Sequence, residues 1–159
     1  MQLCINLIKT VKEMTENTNT KNSKAIHITL WIAQGLLGIM FLMAGLMKSS
    51  QPIEALAESL PWVTGTPASL VRFIGISELA GGIGLLLPSL LRWKPFLTVW
   101  AALGLAMVMV FAVIFHASRG EFSVIGMNVV IMAIALFIAW GRSKKAPIQA
   151  KQQSITLNK

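Results

Sequence analysis

The sequence predicts an all-α, four-helix transmembrane bundle, and three observations predict it. Apolar residues make up 55% of the 159 positions and charged residues only 13%, whereas a soluble domain averages roughly a quarter charged. A water-soluble core of this size cannot hide so much apolar surface, so a bilayer must act as solvent. Four apolar runs, at about 26–47, 68–87, 95–115 and 122–140, each approach the ~20 residues that a spanning helix needs. The basic residues are also unevenly spread. If all four runs cross, one side carries only Lys48, Arg72 and Arg119, and the other eleven of the fourteen Lys and Arg share the side of both termini. By the positive-inside rule both termini are expected in the cytoplasm.

Taken in order, residues 1–25 read as a flexible cytoplasmic leader. Leu3, Leu7 and Val11 recur at helical spacing beside Lys9 and Lys12, which suits a short surface helix, and the polar stretch 15–24 has the composition of irregular chain. Met14 is an alternative start to Met1. The first run, 26–47, is too long for the core of a signal peptide and is expected to be retained. It carries Gln34, Gly38, Phe41, Gly45 and Lys48 on one helical stripe, whose glycines invite close helix approach. The connection 48–67 holds Pro52, Pro61, Gly65 and Pro67. Within it Ile53, Leu56, Ala57 and Leu60 oppose Glu54 and Glu58, as in a short helix lying on the membrane surface. The second run is expected to close at Pro88. Pro95 stands at the first turn of the third, Gly120 separates the third from the fourth, and 143–159 form a basic cytoplasmic tail. The membrane domain is therefore residues 26–142, with Trp31, Trp93 and Trp140 near one interface and Trp62 near the other.

Several chemistries are disfavoured. The single cysteine, Cys4, cannot form an intrachain disulfide, and the sequence contains no dithiol, haem-attachment or zinc-type spacing. His27 and His116 lie at the ends of apolar runs, so paired axial haem ligands deep in the membrane are not expected. No metal site and no cofactor is visible. The net charge of +8 comes from residues flanking apolar runs, which suits contact with anionic lipid rather than nucleic acid.

Glu78 is the most informative residue. It lies in the middle of the second run, and an ionisable group at bilayer depth is costly and faces a neighbouring helix or a wet cavity. Gly75, Gly81 and Gly82 stand around it at helical spacing, so the acid should face protein. Glu78, Asn128 and Gln34 form the candidate intramembrane polar site, and Lys48, Arg72, His116, Arg119 and Glu121 form a polar ring around its outer mouth. Each has a plainer reading: Glu78 as a packing lock, Asn128 and Gln34 as interhelical hydrogen bonds, His116 and Glu121 as solvated caps, the basic residues as snorkelling anchors. The nine methionines read as helix filler rather than copper ligands.

The blocks Phe41–Lys48 and Ile74–Pro88, with His116–Glu121 followed by Asn128, resemble the bacterial DoxX-like family over about residues 28–142. The resemblance implies a four-helix inner-membrane protein. Some relatives are named as subunits of quinone-linked or thiol-linked redox assemblies, but the resemblance brings no catalytic residues with it. Lys48, Glu78, His116, Glu121 and Asn128 match the family's recurrent polar positions. The expectation that follows is a subunit without activity of its own, supporting a redox partner protein, with a bound quinone as the implied ligand. Two other readings stay open: a small proton-coupled transporter or permease using Glu78, which would require a homo-oligomer for most pores, and a structural envelope-homeostasis protein.

Overall fold

In a computed structural model the backbone is described for residues 2–151 and the side chains for residues 24–151. The chain is all-α, with no strand among the described residues. Its elements are α1 (Gln2–Ser50), α2 (Ile53–Ser59), a 3-10 turn (Pro61–Val63), α3 (Ala68–Leu91), α4 (Phe96–Ser118), α5 (Phe122–Trp140) and a π-helical turn (Gly141–Lys145). Among the described residues, four segments are long and apolar enough to cross a membrane: Lys24–Ser50, Ala68–Leu91, Phe96–Ser118 and Phe122–Lys145.

The helices outrun the apolar runs. α1 is continuous through 15–24, where polar composition predicts irregular chain. Residues 1–34 contain neither Gly nor Pro, so nothing in the backbone interrupts the helix. The side chains of the amphipathic start, and residues 152–159 of the tail, lie outside the described residues. α3 passes Pro88 and ends at Leu91, where Arg92 takes the left-handed conformation (φ 53°) that stops it. Proline costs a helix its own N–H bond, but it does not unwind the turn that follows, and membrane helices tolerate it where neighbours cover the backbone. Pro88 is buried there.

α1 packs chiefly on α3, and α4 packs on both α3 and α5. The core joins Leu37 and Phe41 of α1, Leu85 of α3, Ala102, Leu105 and Met109 of α4, and Ala135 and Ile138 of α5. The outward faces keep large apolar side chains uncovered, among them Phe73, Trp100, Phe111 and Phe122. In water that surface would be a severe liability; in lipid it is the expected exterior.

α2 departs from the surface-helix expectation. Leu56 is fully buried and, with Val63 and Val71, makes a second small core against Met47, Ile53, Leu60 and Trp62. The apolar side of α2 thus packs on the ends of α1 and α3, while Glu54 and Glu58 face outward. The bundle has an α2 end, which carries this cap and the α4–α5 turn. The opposite, basic end carries the α3–α4 turn and Gly141–Lys145.

Candidate functional site

Helix approach creates the site. The α1 stripe Gln34, Gly38, Phe41 and Gly45 is buried, and on α3 it meets a matching stripe of Val71, Gly75, Glu78, Gly82 and Leu85. A Cβ placed on Gly45 would lie 2.7 Å from the Gly75 carbonyl oxygen, and one on Gly75 would lie 2.8 Å from the Lys48 Cβ. The two backbones are close enough for only glycine to fit. Lys48, in the last turn of α1, therefore lies along α3 and reaches Glu78. Its Nζ donates to both carboxylate oxygens, at 2.6 Å to Oε1 and 2.7 Å to Oε2. The two side chains are 13% and 4% exposed, so this is a buried ion pair. The glycines around Glu78 serve two partners, since Gly75 and Gly82 admit α1 while Gly81 admits Leu105 of α4.

Arg72 completes the end of α1. Its Nη1 donates to the Lys48 carbonyl at 2.7 Å, satisfying one of the carbonyls left free where a helix stops and setting a cation at the negative pole. The α2 cap then brings Trp62 over the pair, with the Lys48 Nζ 5.9 Å from its ring centroid. Trp62 meets Phe115 and His116 edge to face, at 5.9 and 6.2 Å. His116 Nδ1 lies 2.6 Å from Glu121 Oε2, and the Arg119 Nε donates to Oε1 at 2.8 Å. With Glu121 ionised, His116 Nδ1 carries the hydrogen and donates it. The hydrogen bonds from Arg119 and then His116 hold the Glu121 carboxyl below its ordinary value of 4.5, against a smaller opposing effect of desolvation. Arg119 also reaches the Thr64 carbonyl at 3.4 Å, which ties the α4–α5 turn to the connection after α2.

The α2 end therefore gathers Lys48, Arg72, His116, Arg119 and Glu121 with Glu78, and Trp62 bridges the two clusters. Gln34 stands elsewhere. Gln34 is fully buried two turns toward the basic end, where its Nε2 donates to the Leu85 carbonyl at 2.7 Å and its Oε1 accepts from Arg142 Nε at 2.9 Å. Leu85 is seven residues past Glu78, roughly 10 Å along α3. The Asn128 Nδ2 is buried without a hydrogen-bond partner among the described residues. Sharing a helical stripe puts Gln34 on the same face as Lys48 but not at the same depth.

Sequence reasoning overlooked four residues. Trp62 reads as an interface anchor, and nothing local signals that the α2 cap folds it inward. Arg142 ends an apolar run, the usual place for an anchor, yet it is buried. Ser89 and Thr98 share a buried 2.7 Å hydrogen bond between α3 and α4, and two hydroxyls in apolar runs carry no marker of each other. Among the described residues no three His, Cys, Asp or Glu side chains come together in a metal-binding group.

Four long apolar helices, a lipid-suited exterior and a buried ion pair define a small multi-pass membrane protein. The model of the DoxX-like family matches residues 32–138, about two thirds of the chain, and the protein belongs to that family. The match includes Lys48, Glu78, His116, Glu121 and Asn128 and stops short of Arg142. No curated protein and no solved structure matches the chain.

Proposed function

We propose that this protein is a non-catalytic subunit of the bacterial inner membrane that supports a quinone-linked or thiol-linked redox assembly, with both termini in the cytoplasm. The observation that carries the reading is the buried Lys48–Glu78 pair beneath Trp62. A charge pair inside a membrane domain costs desolvation that packing alone does not require. An ammonium has three N–H donors, and Glu78 takes two of them. The third is available to a carbonyl oxygen such as that of a quinone headgroup. Trp62 and Phe115 offer an aromatic wall for the flat ring, and His116 adds a second polar group at the same end. The proton-coupled transporter reading has less support, because Lys48 bridges both oxygens of the carboxyl that would have to load and release.

The test is purification in mild detergent from native membranes, with mass spectrometry of co-purifying proteins and lipids. The expected result is a retained quinone or redox partner, with quinone retention reduced in Lys48→Gln and Glu78→Gln at equal protein abundance. Protein that carries neither, and whose removal leaves quinone-dependent respiration unchanged, sinks the proposal. Variants that lower abundance but not retention per molecule return the pair to a packing role.

A further inference from the structure

A second buried charge lies at the basic end, remote from the Lys48–Glu78 pair. Arg142 sits in the π-helical turn Gly141–Lys145 and is 3% exposed. π-helical turns inside or ending α-helices occur frequently at functional sites. The Arg142 partners are all neutral. Nε donates to Gln34 Oε1 at 2.9 Å, Nη1 reaches the Ala146 carbonyl only at 3.4 Å, and the guanidinium carbon stands 4.8 Å from the Trp31 ring centroid. Nη2 is buried with no partner among the described residues. Of the five N–H groups of a guanidinium, those two bonds occupy one each, so both on Nη2 and one on Nη1 remain.

No carboxylate neutralises this cation among the described residues. The chain has six acidic residues, all Glu. Glu54, Glu58, Glu78 and Glu121 belong to the α2 half of the bundle. Glu16, the nearest of the rest along α1, stands eighteen residues before Gln34, roughly 27 Å along the helix. Buried charges are normally paired, and an unpaired one of this kind is costly. The surroundings add positive charge, since Lys144 and Lys145 follow directly and are exposed. The Lys151 N–H bonds the Arg92 carbonyl, which lays the exit of the chain across the same end.

We propose that Arg142 is the floor of an anion site that takes a phosphate group. The Nη1–Nη2 edge, the part of the guanidinium that forks two phosphate oxygens, engages the ligand in place of the weak Ala146 carbonyl contact. Gln34 and Trp31 fix the plane of the guanidinium, and Lys144 and Lys145 supply the rim. A phospholipid headgroup at the membrane surface and a free phosphate present the same chemistry.

The experiment uses the full-length chain in a non-ionic detergent. Native mass spectrometry measures retention of phosphatidylglycerol against diacylglycerol, which has no phosphate, and thermal unfolding is followed during titration with inorganic phosphate. The expected result is a preference for phosphatidylglycerol of about tenfold or more, the size of one or two charge-assisted hydrogen bonds, lost in Arg142→Gln and only weakened in the Lys144→Gln/Lys145→Gln pair. Stabilisation by inorganic phosphate, lost in the same variant, identifies free phosphate as the source; stabilisation by the lipid alone identifies the headgroup. A wild-type protein with neither lipid preference nor phosphate response overturns the proposal. So does a preference that survives Arg142→Gln but disappears with the two lysines, which is diffuse surface attraction. If Arg142→Gln does not fold, Arg142→Lys decides: at least a threefold loss supports the fork, and unchanged retention overturns it.

Discussion

At the scale of single residues, the Lys48–Glu78 pair is asymmetric, and the asymmetry is testable. Lys48 stands in the last turn of α1 with a side chain 13% exposed, while Glu78 is 4% exposed in mid-helix. A lysine that loses its partner there can turn its ammonium outward along its own alkyl stem; Glu78 has no such route. Lys48→Met should therefore cost about 3–5 kcal/mol, the usual effect of stranding a buried charge. Glu78→Met should cost clearly less, and the double Met variant should recover most of the Lys48→Met loss. Thermal unfolding of the four proteins in one detergent checks this, and two single variants of equal effect with simple additivity would count against it. Glu121 gives a pH prediction. Its folded-state carboxyl is held down by Arg119 and His116, so its contribution is present above the ordinary carboxyl value of 4.5 and is lost as pH falls through the lowered one. The Tm gap between wild type and Glu121→Gln should narrow on acidification below 4.5; a gap independent of pH there contradicts the assignment. Glu78 stood out in the sequence because charge is so rare in these runs, whereas Gln34, on the same stripe as Lys48, lies at another depth beside Leu85. Arg142 did not stand out, because a basic residue at the end of an apolar run looks the same whether it points to lipid headgroups or back into the protein.

At the scale of elements, glycines separate contacts from open space. A methyl on Gly75 would meet the Lys48 Cβ and the Ser49 backbone nitrogen, both at 2.8 Å, whereas one on Gly104 or Gly126 would meet nothing within 4 Å. Neither α1 nor α3 can yield at a backbone-to-backbone contact without parting. Gly75→Ala should thus destabilise by about 1–3 kcal/mol, the usual cost of overpacking, and should also loosen the ion pair beside it. Gly104→Ala and Gly126→Ala should be neutral or stabilise by up to about 1 kcal/mol through helix propensity. Equal effects at all three positions, measured by thermal unfolding, would show that the α1–α3 approach is not the constraint. The same contrast marks what the pattern of residues could reveal. Apolar length predicts four helices, and α5 matches its run at 122–140. Helix ends are less legible: α3 passes Pro88 and α4 continues to Ser118 because polar or imino residues mark a change of environment, not the end of hydrogen bonding. The inward fold of α2 depends on contacts with Met47 and Val71, which lie on other helices, so an amphipathic stretch alone leaves open whether its apolar side meets lipid or protein.

At the scale of the whole molecule, the described side chains form a charge dipole along the bundle. The α2 end holds Glu54, Glu58, Glu78 and Glu121 with Lys48, Arg72 and Arg119, and all three cations there are engaged by the protein itself. The basic end holds Lys24, Arg92, Lys94, Arg142, Lys144, Lys145 and Lys151 and no acid among residues 24–151. Orientation in membranes follows Lys and Arg near the ends of spans rather than net charge, and both counts favour the same direction here. The three α2-end cations are also tied down in hydrogen bonds, so they add little free positive charge to oppose it. The basic end should therefore face the cytoplasm. In a Cys4→Ser background, a cysteine in place of the exposed Glu58 should react with a membrane-impermeant maleimide in intact cells, and one in place of Lys144 should react only after permeabilisation. Because the bias rests on several residues, neutralising Lys144 and Lys145 together should leave that labelling pattern unchanged. Reversed labelling in the parent would put the Trp62–His116 cluster on the cytoplasmic side and Arg142 on the other, and any partner protein of the α2 end would then have to be sought in the cytoplasm.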